Sequence, residues 1–403
     1  MQAILVSAIY QKDQNTEYYL EETTNLADAL GIEIVATFTQ RVDKRNNATY
    51  VHEGKVQEIA DYLDEHDIDI VIIQEEITAA MERNLTEKWK IKVIDRTNLI
   101  LDIFYSNAQS KLAKTQIEIA RLEYNLTKVI GSYSNLEKQG SSAVSRSSGE
   151  SKAELDKRRI RDQIIRLKRN LAAQKQVRDS KRTNRRNSTE SIVSLAGYTN
   201  VGKSTLLNSL TDSERQILAK DQLFATLDTS VRRVEQKKYG NYLFIDTVGF
   251  VSNLPHHLVE AFASTFEEIL ESDIILHLHD ASDPHMEIHH RIVTDTLKTL
   301  HADDIPVIDV YNKADLTEKV FDGIMISSLN KTGYDQLFTT INDKLNERKQ
   351  LSHFFFDYTH MKEYNFFKQN FKLETEDIDD TGIHISLYTD ESTVSRYQQF
   401  IKE

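Results

Sequence analysis

The sequence predicts a multidomain α/β protein: two α/β domains with a long antiparallel helical hairpin between them, followed by a small α+β domain. Three observations lead there. Short apolar runs alternate with helix-length segments in residues 1–105 and again in 188–347. Residues 106–187 instead carry apolar side chains spaced by threes, fours and sevens. At 403 residues the chain exceeds what one hydrophobic core supports, so two to four domains are expected.

In the first domain, 1–105, the strand candidates are Ala3–Ser7, Glu33–Phe38, Ile68–Ile73 and Lys92–Asp95. Lys55–His66 and Thr78–Trp89 read as amphipathic helices between them. Strands separated by helix-length segments imply parallel pairing.

The hairpin follows in 106–187. Leu112, Ile119, Leu122, Leu126 and Val129 fall on one helical seam; Gly131–Gly149 reads as a polar loop; Ile160, Ile164, Leu167 and Leu171 form the seam of the return helix. With neither proline nor glycine from Ser151 to Asn187, that helix can extend roughly 50 Å. The same segment holds 14 Lys and Arg against 4 Asp and Glu, while the rest of the chain carries 36 basic and 59 acidic residues. A net charge of -13 therefore hides one concentrated basic projection.

After a polar linker, Asn187–Glu190, the domain 188–347 has strand candidates at Ser191–Ala196, Tyr242–Asp246, Asp273–His279, Ile305–Val310 and Gly323–Ser327, implying a mostly parallel sheet with flanking helices. The tail 348–403 has room for a small domain, whose aromatics Phe354, Phe355, Phe356, Phe366 and Phe367 read as core because no basic residues interleave them. Zero cysteines exclude disulfides and thiolate chemistry. No window suits a membrane span and the N-terminus lacks a signal-like basic region, so a cytoplasmic protein without membrane or DNA partner is expected, acting as a monomer.

Chemistry concentrates in 188–347. Gly197-Tyr198-Thr199-Asn200-Val201-Gly202-Lys203-Ser204, followed by Thr205, fits the G-x-x-x-x-G-K-[ST] phosphate loop between a strand and a helix. Glycines let backbone N–H groups wrap phosphates, the helix start adds its dipole, Lys203 supplies a cation and the Ser204 hydroxyl suits magnesium. Asp246-Thr247-Val248-Gly249 ends an apolar strand, where Asp246 holds magnesium through water and the Gly249 N–H senses the third phosphate. Between the two lies Phe224-Ala225-Thr226-Leu227-Asp228-Thr229, in which Thr226, with Thr229 second, is the residue expected to close over the metal. The groups expected to act in phosphate hydrolysis are Lys203, Thr226 and Gly249.

Base identity comes from Asn312-Lys313-Ala314-Asp315. The Asp315 carboxylate accepts from both N1–H and the exocyclic amine of guanine, a donor pair adenine does not offer, so GTP and GDP are the expected ligands. Asn312 and Lys313 buttress the loop and the ring, Ser327-Ser328 is placed to offer backbone N–H to the guanine oxygen, and Leu329 is counted with them among the nucleotide-binding residues. The residue after Gly249 is Phe250, which neither orients nor deprotonates water, so slow intrinsic turnover is expected. Asn200 opens a second route by analogy, in which it helps hold a potassium ion in place of an arginine finger. His277, His279, His285, His289 and His290 show no recurring ligand spacing and read as structural or surface histidines.

With these elements assembled, the chain resembles the HflX family of ribosome-associated GTPases over most of its length. The resemblance lies in Val93-Ile94-Asp95-Arg96-Thr97 through Leu99-Ile100-Leu101-Asp102-Ile103-Phe104; in Gly149-Glu150 with Glu154, Asp156, Lys157 and Arg158; and in the nucleotide motifs, Phe250 included. It implies a protein that binds the large (50S) ribosomal subunit, dissociates stalled or idle 70S particles and is stimulated by ribosomes. Lys157, Arg158, Arg159, Arg161, Arg166, Lys168 and Arg169 are the expected RNA contacts, suited to phosphate-rich RNA with little base reading. Two departures stand out: the hairpin loop Gln139–Ser148 is serine-rich where the family's is glycine-rich, and Ser328 replaces a frequent alanine. A nucleotide-regulated RNA-binding module is the competing reading. A P-loop kinase fits less well, for want of a phosphoacceptor lid and because of Asn312 and Asp315.

Overall fold

A computed structural model describes residues 1–10, 15–137, 154–155, 157–172, 190–211, 230–236, 238–255, 258, 268–347, 350–371, 373–389 and 391–402, with 130–137 and 391–392 described by backbone alone. The chain divides into two compact units. Residues 1–179, 221–228 and 252–263 form the first, and 180–220, 229–251 and 264–403 the second.

The first unit holds four strands, β1 (Gln2–Tyr10), β2 (Glu33–Val42), β3 (Ile70–Ile73) and β4 (Lys92–Asp95), in a parallel sheet of order β2-β1-β3-β4. Continuous apolar runs such as Ile70-Val71-Ile72-Ile73 are buried on both faces, the pattern parallel strands require. Ile4, Val6, Val71, Met81, Leu85, Trp89 and Val93 lie in one core. The predicted helices occur as Glu53–Glu65 and Ala79–Trp89, the latter capped by Thr78, whose hydroxyl accepts from the Met81 N–H at 3.2 Å.

Two further helices, Thr16–Asp28 and Arg96–Asn107, have no counterpart in the sequence reading. Their buried stripes include Glu22, Thr23, Arg96 and Thr97, which interrupt the apolar period. Arg96 Nη2 and Glu22 Oε2 lie 2.6 Å apart, both nearly fully buried, and Arg96 also donates to the Ser252 carbonyl at 2.8 Å. The first hairpin helix runs Lys111–Glu137, so the break expected at Gly131 does not occur there. Its buried line is Ala113, Gln116, Ile117, Ala120, Tyr124 and Lys128; of the predicted seam Ile119 is buried, whereas Leu112, Leu122, Leu126 and Val129 are half-buried. Two polar members of that line meet the end of β4: Lys128 pairs with Asp95 at 2.7 Å, and the Tyr124 hydroxyl donates to the same carboxylate. Residues 157–172 are helical, with Ile164 buried and Lys168 paired to Glu123 at 2.7 Å.

The second unit contains β5 (Ser191–Gly197), β6 (Ser230–Gln236), β7 (Gly240–Asp246), β8 (Ile274–Asp280), β9 (Val307–Asn312) and β10 (Ile324–Met325) in one sheet of order β10-β9-β8-β5-β7-β6. Every pairing is parallel except β6 with β7. The sequence reading missed β6, whose Ser-Val-Arg-Arg-Val-Glu-Gln buries only Val234 fully. Helices Lys203–Leu210, Met286–Thr299 and Tyr334–Asn346 accompany the sheet. Gly197, Asp246, Asp280 and Asn312 end β5, β7, β8 and β9, so the carboxyl ends of four parallel strands meet where such sheets bind ligands.

The tail adds β11 (Gln350–Asp357), β12 (Thr375–Asp379) and β13 (Gly382–Thr389), antiparallel in the order β11-β13-β12, with the helix Met361–Asn370. Phe354, Phe356, Tyr364 and Phe367 fill its core, whereas Phe355 and Phe366 are half-buried. Among the described residues no helix is long and apolar enough to cross a membrane.

Candidate nucleotide-binding site

The phosphate loop leaves β5 at Gly197 and enters the helix at Lys203. A Cβ at Gly197 would lie 2.6 Å from the Leu278 carbonyl oxygen, and one at Gly202 only 2.3 Å from Asn312 Nδ2. Gly202 has φ +92°, so both its conformation and its neighbour demand glycine. Asn200 sits exposed at φ +63°. Lys203 is buried, and its Nζ donates to the Gly197 carbonyl at 2.9 Å and the Tyr198 carbonyl at 2.7 Å. Burial pushes its ammonium down to about 8, against the pull of the Asp246 carboxylate. A cation stripped of water and held over a loop of backbone amides is arranged for phosphate.

Asp246 is fully buried at the end of β7, and Ser204 Oγ donates to its Oδ2 at 2.7 Å. A hydroxyl and a carboxylate this close give the oxygen-only donor set a magnesium ion takes, so the residues fit that metal. Thr247 Oγ1 donates to the Leu195 carbonyl, tying the next residue back to β5. At Gly249 an added Cβ would stand 2.8 Å from Thr199 Cγ2 and 3.2 Å from Lys203 Nζ, so the D-x-x-G glycine lies directly against the phosphate loop. The Phe250 N–H donates to the Gly197 carbonyl at 3.2 Å and its carbonyl accepts from the Thr199 N–H at 2.9 Å. The Phe250 side chain is itself buried.

Asn312, buried at the end of β9, joins the two halves of the site. Its Nδ2 donates to the Val201 carbonyl at 2.8 Å, and its Oδ1 accepts from the Ser328 N–H at 3.0 Å and the Ser328 hydroxyl at 2.8 Å. One amide therefore holds the phosphate loop and the loop after β10 in register. Lys313 adopts φ +59° and its Nζ pairs with Asp280 at 2.7 Å. Asp315 lies exposed in the short turn Ala314–Leu316. The expectation for Ser327 and Ser328 needs correction: the Ser327 N–H donates to the Thr332 carbonyl at 3.2 Å and the Ser328 N–H to Asn312, so both amides are committed within the protein. Leu329 is exposed beside them.

Sequence reasoning overlooked Asp280, which orients Lys313, and named His289 only as a structural or surface histidine, whereas its ring stacks on Tyr198 at 3.7 Å. An aspartate closing an apolar strand was the available signal for the first; the stacking partner of the second had none. Phe224, Ala225, Thr226, Leu227, Asp228 and Thr229 lie outside the described residues, as does the serine-rich segment Gln139–Ser148. Of the basic residues, Lys157 and Arg161 lie near Glu154 at 3.7 and 3.9 Å, Lys168 pairs with Glu123, and Arg159 is exposed. Arg158, Arg166 and Arg169 are exposed with no acidic partner among the described residues.

The five histidines are not scattered. Three of them, His277, His279 and His290, converge on Asp309 of β9. Burial lowers His277 to about 4, and hydrogen bonds from His277 and His279 hold the Asp309 carboxyl well below the usual carboxylate range.

Family models described as GTP-binding GTPase N-terminal, GTP-binding GTPase Middle Region and 50S ribosome-binding GTPase match residues 17–105, 107–185 and 192–313. The chain is similar to the GTPase HflX of Caldanaerobacter subterraneus subsp. tengcongensis, 37% identical over 403 residues that span 99% of this chain and 93% of that one. It is likewise similar to the GTPase HflX of Escherichia coli, 34% identical over 355 residues, or 85% of this chain and 83% of that one. Among solved structures, a GTP-binding protein from the hyperthermophilic archaeon Sulfolobus solfataricus in complex with GDP covers 86% of this chain and 99% of its own at 22% identity, with a TM-score of 0.44.

Proposed function

Because the chain belongs to the HflX family of GTPases, we propose that it works in the cytoplasm as a GTP-driven factor that binds the large ribosomal subunit and dissociates stalled or idle 70S ribosomes. In this reading residues 1–105, 106–187, 188–347 and 348–403 are its working domains. The observation that carries it is Asn312, which builds the phosphate loop and the base loop into one guanine-nucleotide site. The large-subunit partner draws support from the description of the family model matched by 192–313 and from the exposed basic face of the 157–172 helix.

The residues divide the work. Asp315 reads guanine, Lys313 is oriented by Asp280, and Leu329 is the remaining nearby candidate to face the guanine oxygen. Lys203 and the loop amides hold the phosphates, and the Gly249 N–H senses the third. Magnesium, held by Ser204, by Asp246 through water and by Thr226, would neutralise charge building on the outer phosphates. Buried Phe250 leaves no side chain at that position to orient water, so basal turnover is slow and accelerates when the ribosome rearranges the segment after Asp246. The potassium route rests on analogy at Asn200; on that reading hydrolysis runs faster in potassium than in sodium buffer, and equal rates would end the idea.

The central test is sedimentation of 70S ribosomes with the protein and GTP. Release of free subunits supports the proposal, whereas co-migration without release leaves an RNA-binding module. Replacing Arg158, Arg166 and Arg169 by glutamine is expected to weaken ribosome binding about tenfold and to reduce the salt slope by up to about 3, one for each lost phosphate contact. Unchanged affinity at every salt concentration would remove the basic helix from the interface.

A further inference from the structure

We propose that His277, His279, His290 and Asp309 form a binding site for one transition-metal dication of the zinc class. The fold builds the site from three elements. Alternation along β8 puts His277 and His279 on one face, the register of β8 with β9 sets Asp309 beside His277, and the Met286–Thr299 helix brings His290 to them. His279 Nε2, His277 Nδ1 and His290 Nδ1 lie 2.8, 3.3 and 3.9 Å from the single oxygen Asp309 Oδ1. All four donor atoms fall within 4.8 Å of one another. Tetrahedral zinc with ligands at about 2.0–2.1 Å separates its donors by about 3.3 Å, which these distances straddle.

A purely structural cluster explains the arrangement less well. One carboxylate oxygen accepts about two hydrogen bonds, yet three imidazole nitrogens face this one. His277 is 2% exposed and among the described residues its Nε2 has no hydrogen-bond partner, so the network does not satisfy the residue it buries most deeply. A donor set of three nitrogens and one oxygen favours zinc, cobalt or nickel over magnesium, which wants oxygen, so magnesium in the nucleotide site is not a competitor. His290 and Asp309 are about half exposed, at 48% and 41%, and leave a way in.

The position gives the site a consequence. Asp309 lies three residues before Asn312, and His279 adjoins Asp280, which holds Lys313. A metal here would cross-link the two strands that present the base-reading residues.

The test uses the untagged 403-residue protein, stripped with EDTA and free of nucleotide, titrated with cobalt(II). The expected result is the intense visible band of tetrahedral cobalt, saturating at one ion per chain, displaced by zinc and accompanied by a higher melting temperature. His290→Ala, on the exposed helix face, should weaken binding at least about tenfold, since it removes one of four ligands. His279→Gln should abolish it. Guanine-nucleotide binding without added metal checks that each variant is folded, and its retention keeps this result separate from the nucleotide-site reading. No tetrahedral band with wild type, or an unchanged cobalt affinity in folded His290→Ala, would overturn the proposal.

Discussion

Lys203→Ala is expected to weaken GTP and GDP binding about a thousandfold and to take hydrolysis below detection. The side chain is buried with its ammonium against the Gly197 and Tyr198 carbonyls at 2.9 and 2.7 Å. Removing it deprives the outer phosphates of the buried cation and leaves two carbonyls aimed into a loop that must receive anions. Truncating one member of a desolvated charge pair costs about 2–5 kcal/mol, and a thousandfold is about 4. Fluorescent-nucleotide titration measures the loss, and the melting temperature shows that the fold survives. A Kd within about threefold of wild type would mean that phosphate is held elsewhere.

Asp315→Asn is expected to lower GTP affinity by a factor of about a hundred to a thousand and to raise that of xanthosine triphosphate. Guanine offers two donors, N1–H and the exocyclic amine, to a carboxylate with two acceptor oxygens; the amide has one acceptor and meets the amine donor to donor. Xanthine carries a carbonyl in that place and pairs with the amide again. Sites built on hydrogen bonds discriminate steeply because a mismatch leaves buried polar groups unpaired. Asp315 stands on the exposed turn Ala314–Leu316 and touches none of the buried Asn312 contacts, so the substitution changes recognition without loosening the loop. Competition between the two triphosphates is the measurement, and unchanged GTP preference would overturn the base assignment.

What could be read in advance was local. The phosphate loop and the base loop are each contiguous, and their glycines and charges sit at spacings set by the ligand they suit. Strand cores such as Val193-Ser194-Leu195-Ala196 were equally visible, because burial on both faces leaves an unbroken run of small and apolar residues. The helices Thr16–Asp28 and Arg96–Asn107 were hidden because each buries an ion-pair partner, Glu22 or Arg96, at a core-facing position, and a charge there mimics a solvent face. The length of the Lys111–Glu137 helix was missed because a single glycine lowers helix propensity by only about 1 kcal/mol and does not end a helix by itself. Commitments of the Ser327 and Ser328 amides depend on a register between loops that no spacing records. Convergence of His277, His279 and His290 on Asp309 required knowing which strands are neighbours.

The backbone pair between Phe250 and the phosphate loop sets an energetic scale. Each of its two hydrogen bonds is worth about 1 kcal/mol net, so the tether resists thermal opening yet yields to a binding event worth one or two powers of ten in affinity. The Gly197 carbonyl accepts from both Phe250 and Lys203, so drawing the ammonium toward an anion alters the very anchor that restrains the neighbouring segment. Reciprocity then follows from thermodynamics alone: whatever unfastens that segment must change the hold on the nucleotide by the same factor that the nucleotide changes the fastening.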